Sequence, residues 1–180
     1  MTTLHAHWAS VSRSSGPAAA VPDDVELAAR ELLTFRVGGE RFAMTVDAVD
    51  AVRDMPAINP LPSMPPHMLG VCELRGSLIP VYSPAMALNV SLTSPTVAII
   101  AWVGRTGVAS GRRVAIAVDE AESVTATDGM RWSGIGGAPG VDGFVRGVST
   151  LGAVLTTLVD AGDFLMACTA GGAGISGVVS

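Results

Sequence analysis

The stretch "GVCELRGSLIPVYS" (Gly70–Ser83) reads as two apolar strands meeting at a turn, Arg75-Gly76. It returns as "GVSTLGAVLTTLVD" (Gly147–Asp160), with the same Gly-Val start, a Leu four residues after the Gly, a glycine turn and an apolar run. Laid over one another with one residue deleted, the two copies differ at the turn, where the deletion falls on Arg75. A second pair lies upstream of each. "RFAMTVDAVDAV" (Arg41–Val52) covers "RVAIAVDEAESV" (Arg113–Val124) without a gap. Phe42, Met44, Val46, Asp47 and Val52 then meet Val114, Ile116, Val118, Asp119 and Val124. The chain is an internal duplication, with about five strands in each copy.

The remaining punctuation is that of a β protein. "LLTFRV", "GGE" and "RFAMTVD" form a hairpin signal, and Phe42, Met44 and Val46 alternate with Ala43, Thr45 and Asp47, so one face is expected to be buried. "AVDAVRDM" is read as a short strand, "SPAMAL" as a helical turn and "DDVELAAREL" (Asp23–Leu32) as one or two more. "PAINPLPSMPPHM" holds five prolines and must be an extended or turning connection. The expected fold is all-β: two small five-stranded β-barrels related by the duplication, with short helical turns. The first barrel is assigned to residues 31–90 and the second to 95–160, followed by a helical turn at 161–168; flexible extensions are expected at 1–30 and 169–180.

Composition narrows the function. An apolar share of 49% supplies a core, while the net charge of −5 and pI near 5.0 argue against nucleic acid. The chain has no lysine, which removes P-loop, Schiff-base and phosphoacceptor-receiver chemistry; "GIGGAPG" (Gly134–Gly140) lacks the P-loop Lys and Ser/Thr. His5 and His7 are too few ligands for a metal site. No Ser/His/Asp or Cys/His set emerges, so no catalytic residues and no cofactor are expected. No apolar run approaches a membrane span, and the N-terminus does not read as a signal peptide. Asp47 and Asp119, at equivalent places, are read as turn caps, and Cys72 as a small buried hydrophobe. Trp102 is read as core; Trp132, beside Arg131 and a glycine-rich loop, as either core or an exposed anchor.

In order and spacing, "TFRVGGERFAM", "VDAVRDMPAINPLPSMPPHMLGV", "LRGSLIPV" and "VRGVSTLGAVLTTLVD" resemble the CheW-like family, the adaptor domain of bacterial chemosensory arrays, over Leu32–Leu165. The resemblance implies two five-stranded barrels around a shared core and no chemistry. It implies a cytoplasmic adaptor, held at the inner face of the membrane through receptor arrays without direct membrane insertion. The implied partners are the chemoreceptor cytoplasmic tip and the regulatory domain of a CheA-type histidine kinase. Arg75 matches the family's "LRG" arginine, tied to the receptor-facing groove near the barrel junction. With it the resemblance assigns Val49, Asp50, Val52, Leu74, Gly76 and Leu78 to that surface. Glu73, Ala51 and Ser83-Pro84-Ala85 depart from the family pattern. The departures leave open a paralogue serving a pilus- or development-linked array, and a small ligand-binding barrel is a further alternative. Arg75 itself can be a solvated turn residue, a corner residue bonding carbonyls, or a docking contact; its absence from the second copy favours docking.

Overall fold

In a computed structural model, residues 24–26, 31–91, 94–104, 111–127, 131–133 and 143–170 are described. Of the extensions expected at 1–30 and 169–180, residues 1–23, 27–30 and 171–180 lie outside them, as do the His5/His7 pair and the "GIGGAPG" loop, whereas Asp24–Glu26 fall in a strand and residues 169–170 end a helix. The first repeat begins with a hairpin, β2 (Glu31–Val37) and β3 (Glu40–Thr45), closed by Gly38-Gly39, both at positive φ. A 3-10 turn (Val46–Ala48) leads to β4 (Val49–Asp54); β5 (Met68–Leu74) and β6 (Ser77–Tyr82) form the second hairpin, followed by the short helix α1 (Ala85–Leu88). The second repeat supplies β7 (Val97–Val103), β8 (Arg112–Val118), β9 (Glu120–Ala126), β10 (Arg131–Ser133), β11 (Val145–Leu151), β12 (Val154–Val159) and α2 (Ala161–Ala170). Residues Asp24–Glu26 form β1, paired with β10, where the acidic start had been read as a helical turn.

The strands form two sheets that repeat one another. One runs β5-β6-β8-β7-β4; the other runs β11-β12-β3-β2-β9, with β10 and β1 added beyond β11. Each sheet therefore takes its central hairpin from one half of the chain and its other strands, β1 excepted, from the other half. The expectation of one barrel per contiguous half (31–90 and 95–160) does not hold. Between β3 and β4 there is only the 3-10 turn, and between β8 and β9 only Asp119, so each run crosses from one sheet to the other. Parallel ladders join the halves: Val81 faces Ala115 in one sheet, and Leu158 faces Ala43 in the other.

These registers also correct the alignment at the turn. Leu74 pairs with Ser77 and Leu151 with Val154, so both hairpins have two-residue turns and no residue is deleted. Arg75 (φ 51) corresponds to Gly152 (φ 57), and Gly76 (φ 77) to Ala153 (φ 66). Both turn positions take positive φ, which is why a glycine serves at either one and why matching glycine to glycine misplaced the gap.

The repeated Gly-Val has a steric cause. A Cβ on Gly70 would lie 2.5 Å from the Asn59 carbonyl oxygen, and one on Gly147 would lie 2.9 Å from that of Ser133. In the first copy a bridge, Asn59 to Val71, stands where β10 pairs with β11 through Ser133 and Val148 in the second. Five prolines between β4 and β5 remove amide donors along that seam. Among the described residues no ladder joins β4 to β5 or β9 to β11, so the sheets curl but do not close into barrels.

Three apolar clusters follow. The largest lies between the sheets and includes Leu33, Phe35, Met44, Ile99, Ile116, Val118 and Phe164. Each sheet also curls over its own smaller core: Cys72, Leu74, Ile79, Val81, Ala98, Ile100, Ala115 and Ala117 in one; Leu32, Ala43, Trp132 and Leu158 in the other. β3 and β8 are consequently buried on both faces, with Ala43, Ala115 and Ala117 fitting the narrow inner side. Single-face alternation was too simple for them, and Val46, in the 3-10 turn, is only half-buried. Trp132 is fully buried, whereas Trp102 is half-buried under the Arg113 guanidinium, 4.7 Å from its ring centre.

Candidate protein-docking site

The hairpin tip at Arg75-Gly76 overhangs the inner side of the five-stranded sheet, facing the edge strand β4. The cleft between them, of about 420 Å³, is lined by Asp50, Ala51, Arg53, Leu74 and Arg75. The structure thus brings together three of the residues singled out in the sequence, Asp50, Leu74 and Arg75. The others lie elsewhere: Val49 packs against the inter-sheet core, Gly76 completes the turn, and Val52 and Leu78 are on the outer face of the sheet, 42% and 71% exposed. Leu78 alternates with the buried Ile79, which fixes its outward side. Sequence reasoning did not select Ala51, named only as a departure from the family pattern, or Arg53. Their signal was the strand period: with Ala51 packed against the sheet's own core, Arg53 two residues on shares its side.

The two copies of this cleft share an electrostatic frame. Both edge strands carry a β-bulge where an acid sits, Asp50 in β4 and Glu122 in β9. Each acid pairs with the arginine at the equivalent position of the neighbouring repeat: Asp50 with Arg113 at 3.4 Å, and Glu122 with Arg41. Glu122 also takes Arg36 at 2.6 Å. Arg41 further donates to the Leu151 carbonyl at 2.8 Å, tying the second hairpin tip to the bulge. The second cleft, of about 630 Å³, is lined among others by Thr34, Arg41, Glu122, Thr125, Leu151 and Gly152. Asp50 therefore serves the duplicated fold in addition to lining the first cleft.

A third cleft lies at the junction of the sheets, lined by Asp47, Trp102, Gly104, Asp160, Asp163 and Met166 among others. The junction and the Arg75 cleft are separate places. Asp160 caps α2, its Oδ1 accepting the Asp163 N–H at 3.0 Å, while Arg146 bridges Asp160 and Asp163. Burial pushes the Asp160 carboxyl up, but these amide and guanidinium donors outweigh it and hold it below the usual carboxylate range. Asp119 accepts the Gly38 N–H at 2.7 Å and so holds the β2–β3 turn, the capping role expected of it. Burial raises the Cys72 thiol, with the Arg53 charge opposing. Among the described residues no cluster of His, Cys, Asp and Glu is arranged to hold a metal, and no helix is long and apolar enough to cross a membrane.

The family model for the CheW-like domain matches residues 31–167. The chain belongs to the CheW-like domain family. Within it, the chain is similar to a chemotaxis protein CheW of Rhizobium meliloti (strain 1021), with 37% identity over 68 residues, 38% of this chain and 44% of that one. It is also similar to a probable chemotaxis protein CheW of Rhizobium etli, with 35% identity over 79 residues, 42% of this chain and 51% of that one. The matched stretches span about half the length of these curated relatives. Among solved structures, the scaffolding protein TtCheW from Thermoanaerobacter tengcongensis superposes with a TM-score of 0.63 over 76% of this chain and 92% of that one, at 18% identity. At that identity the likeness is one of fold. The all-β plan inferred from the repeats, and its CheW-like form implied by the resemblance, are therefore the fold of the chain, with open sheets in place of barrels.

Proposed function

We propose that this CheW-like protein is a non-catalytic adaptor of a bacterial chemosensory array, coupling chemoreceptors to a CheA-type histidine kinase. One observation carries the reading: the duplicated frame presents apolar residues at equivalent outer positions of its two sheets. Val52 and Leu78 stand on one sheet; Val124 and Leu155, 56% and 65% exposed, stand on the other. Scattered exposed apolar residues need no explanation, but equivalent pairs on two sides of one rigid body suit a protein that joins two others. The receptor's helical tip is assigned to the five-stranded sheet, around Val49, Asp50, Val52, Leu74, Arg75, Gly76 and Leu78, and the regulatory domain of the kinase to the second sheet. The protein then works in the cytoplasm, held at the inner membrane face by the receptors. Reconstitution tests this: receptor fragment, kinase and adaptor are mixed, and kinase autophosphorylation is followed. Receptor control of the kinase should require the adaptor; control that is equal without it rejects the reading. Ala51 lines the first cleft where the family commonly carries a Glu, and a paralogue serving a pilus- or development-linked array is the alternative reading.

A further inference from the structure

Arg36, Arg41, Arg113 and Arg146 all pair with carboxylates. Arg53, Arg75 and Arg112 form no ion pair among the described residues, and two of these three, Arg53 and Arg75, line the same cleft. They stand on opposite walls of it, one on β4 and one at the β5–β6 tip. The duplication supplies an internal control. In the second cleft the equivalent positions are Thr125 and Gly152, and the arginines present there are neutralised by Glu122. The frame does not need cations at these two places, since the other copy folds without them. At Arg75 the choice even opposes the fold, because a left-handed φ favours Gly or Asn. Two guanidinium groups without an ion pair thus line one cleft of a chain whose net charge is −5, and the one carboxylate lining that cleft, Asp50, is engaged by Arg113.

We infer that Arg53 and Arg75 together form a carboxylate-selective anchor, so that the partner segment seated at this cleft carries an acidic side chain. The planar fork of a guanidinium matches a carboxylate bidentately, and two forks facing one cleft can share its two oxygens. Left open to water such a contact would contribute little; covered by the docked partner, it becomes a desolvated pair that fixes register and specificity. This inference rests on the docking assignment made above.

The test uses the intact protein and, as probe, the recombinant cytoplasmic hairpin of a chemoreceptor from the same cell. Affinity is measured by calorimetry at low and high salt for the wild type, Arg53→Gln, Arg75→Gln, the double variant and Leu78→Ser, with a thermal melt of each. Each single arginine variant should bind about tenfold more weakly with an unchanged melt, and the double variant should lose most of the salt dependence. Leu78→Ser should weaken binding while leaving the salt dependence in place. If the double variant binds like the wild type while Leu78→Ser is weak, the docking surface stands and the carboxylate anchor is wrong. If the wild type does not bind, or Leu78→Ser binds normally, the docking assignment fails and the anchor with it. A melt lowered by either arginine substitution also overturns the anchor, since the residue would then serve the fold.

Discussion

Replacing Arg75 by Asn separates stability from binding at a single position. Arg75 is exposed and opens a two-residue turn in which both residues have positive φ. For an L-residue with a Cβ this conformation costs about 1–2 kcal/mol, a penalty that Asn largely escapes. Asn-Gly is also the most favoured pair for such a turn. The guanidinium packs against no core cluster, so its removal forfeits little. The expected gain is about 0.5–1 kcal/mol, which for a domain of this size raises the melting temperature by about 1–4 °C. Arg75→Ala keeps the strained φ and should leave the melt where it is. Both substitutions should weaken the receptor fragment about tenfold or more if Arg75 is a docking contact. Melts and titrations on the same preparations read the two effects together. A fall in melting temperature for Arg75→Asn would refute the reasoning: the guanidinium would be holding the hairpin, and its absence from the second repeat would be left without a functional cause. Ala153→Gly, in the equivalent turn, is the control, expected to raise the melt slightly and leave binding alone.

Val118 is fully buried in the inter-sheet cluster, so Val118→Asp places an unpaired charge there at a cost of several kcal/mol against a total of about 5–15; circular dichroism should show an unfolded chain. Glu122 holds two arginines and Asp50 only one, so Glu122→Gln should cost about 1–3 kcal/mol and Asp50→Asn less than about 1, measured by urea unfolding. Asp160, whose carboxyl is held below the usual range, contributes stability that is present above about pH 4 and is lost as pH falls through its lowered folded value. Asp160→Asn should keep the helix cap and flatten that acid limb, while Asp160→Ala should also lose about 1 kcal/mol at neutral pH.

The repeat could be read because its constraints are local. A two-residue turn, a glycine pressed against a crossing carbonyl and an alternating strand each leave a mark within a few residues. Gly70 and Gly147 recur because Asn59 and Ser133 approach them in the same way. What escaped was set by partners distant in the chain. The second buried face of β3 comes from Leu32, Trp132 and Leu158, which nothing near Ala43 announces. Trp132 could not be assigned by its neighbours, since the core it fills is built by both halves. Arg53 was passed over for a related reason: its importance depends on facing Arg75 across a cleft that forms only when the sheet curls.

The exchange of strands bears directly on how such a body could couple two partners. The Arg75 cleft lies on a sheet whose centre is β7 and β8 from the second half, flanked by β4, β5 and β6 from the first. From β8 the chain passes through Asp119 alone into β9, the edge of the other sheet, where Val124 is exposed. In the same way β3, inside the second sheet, leads through Val46–Ala48 into β4, which carries Val52 and Arg53. Each face is therefore joined to the core of the opposite sheet by a continuous strand, and Asp119 further ties this crossing to the β2–β3 turn. Two separate barrels on a hinge would let their partners reorient independently. Interleaved sheets sharing one buried cluster resist that motion, because turning one face against the other would break the ladders between β6 and β8 and between β12 and β3 together with the packing around Phe35, Ile116 and Phe164.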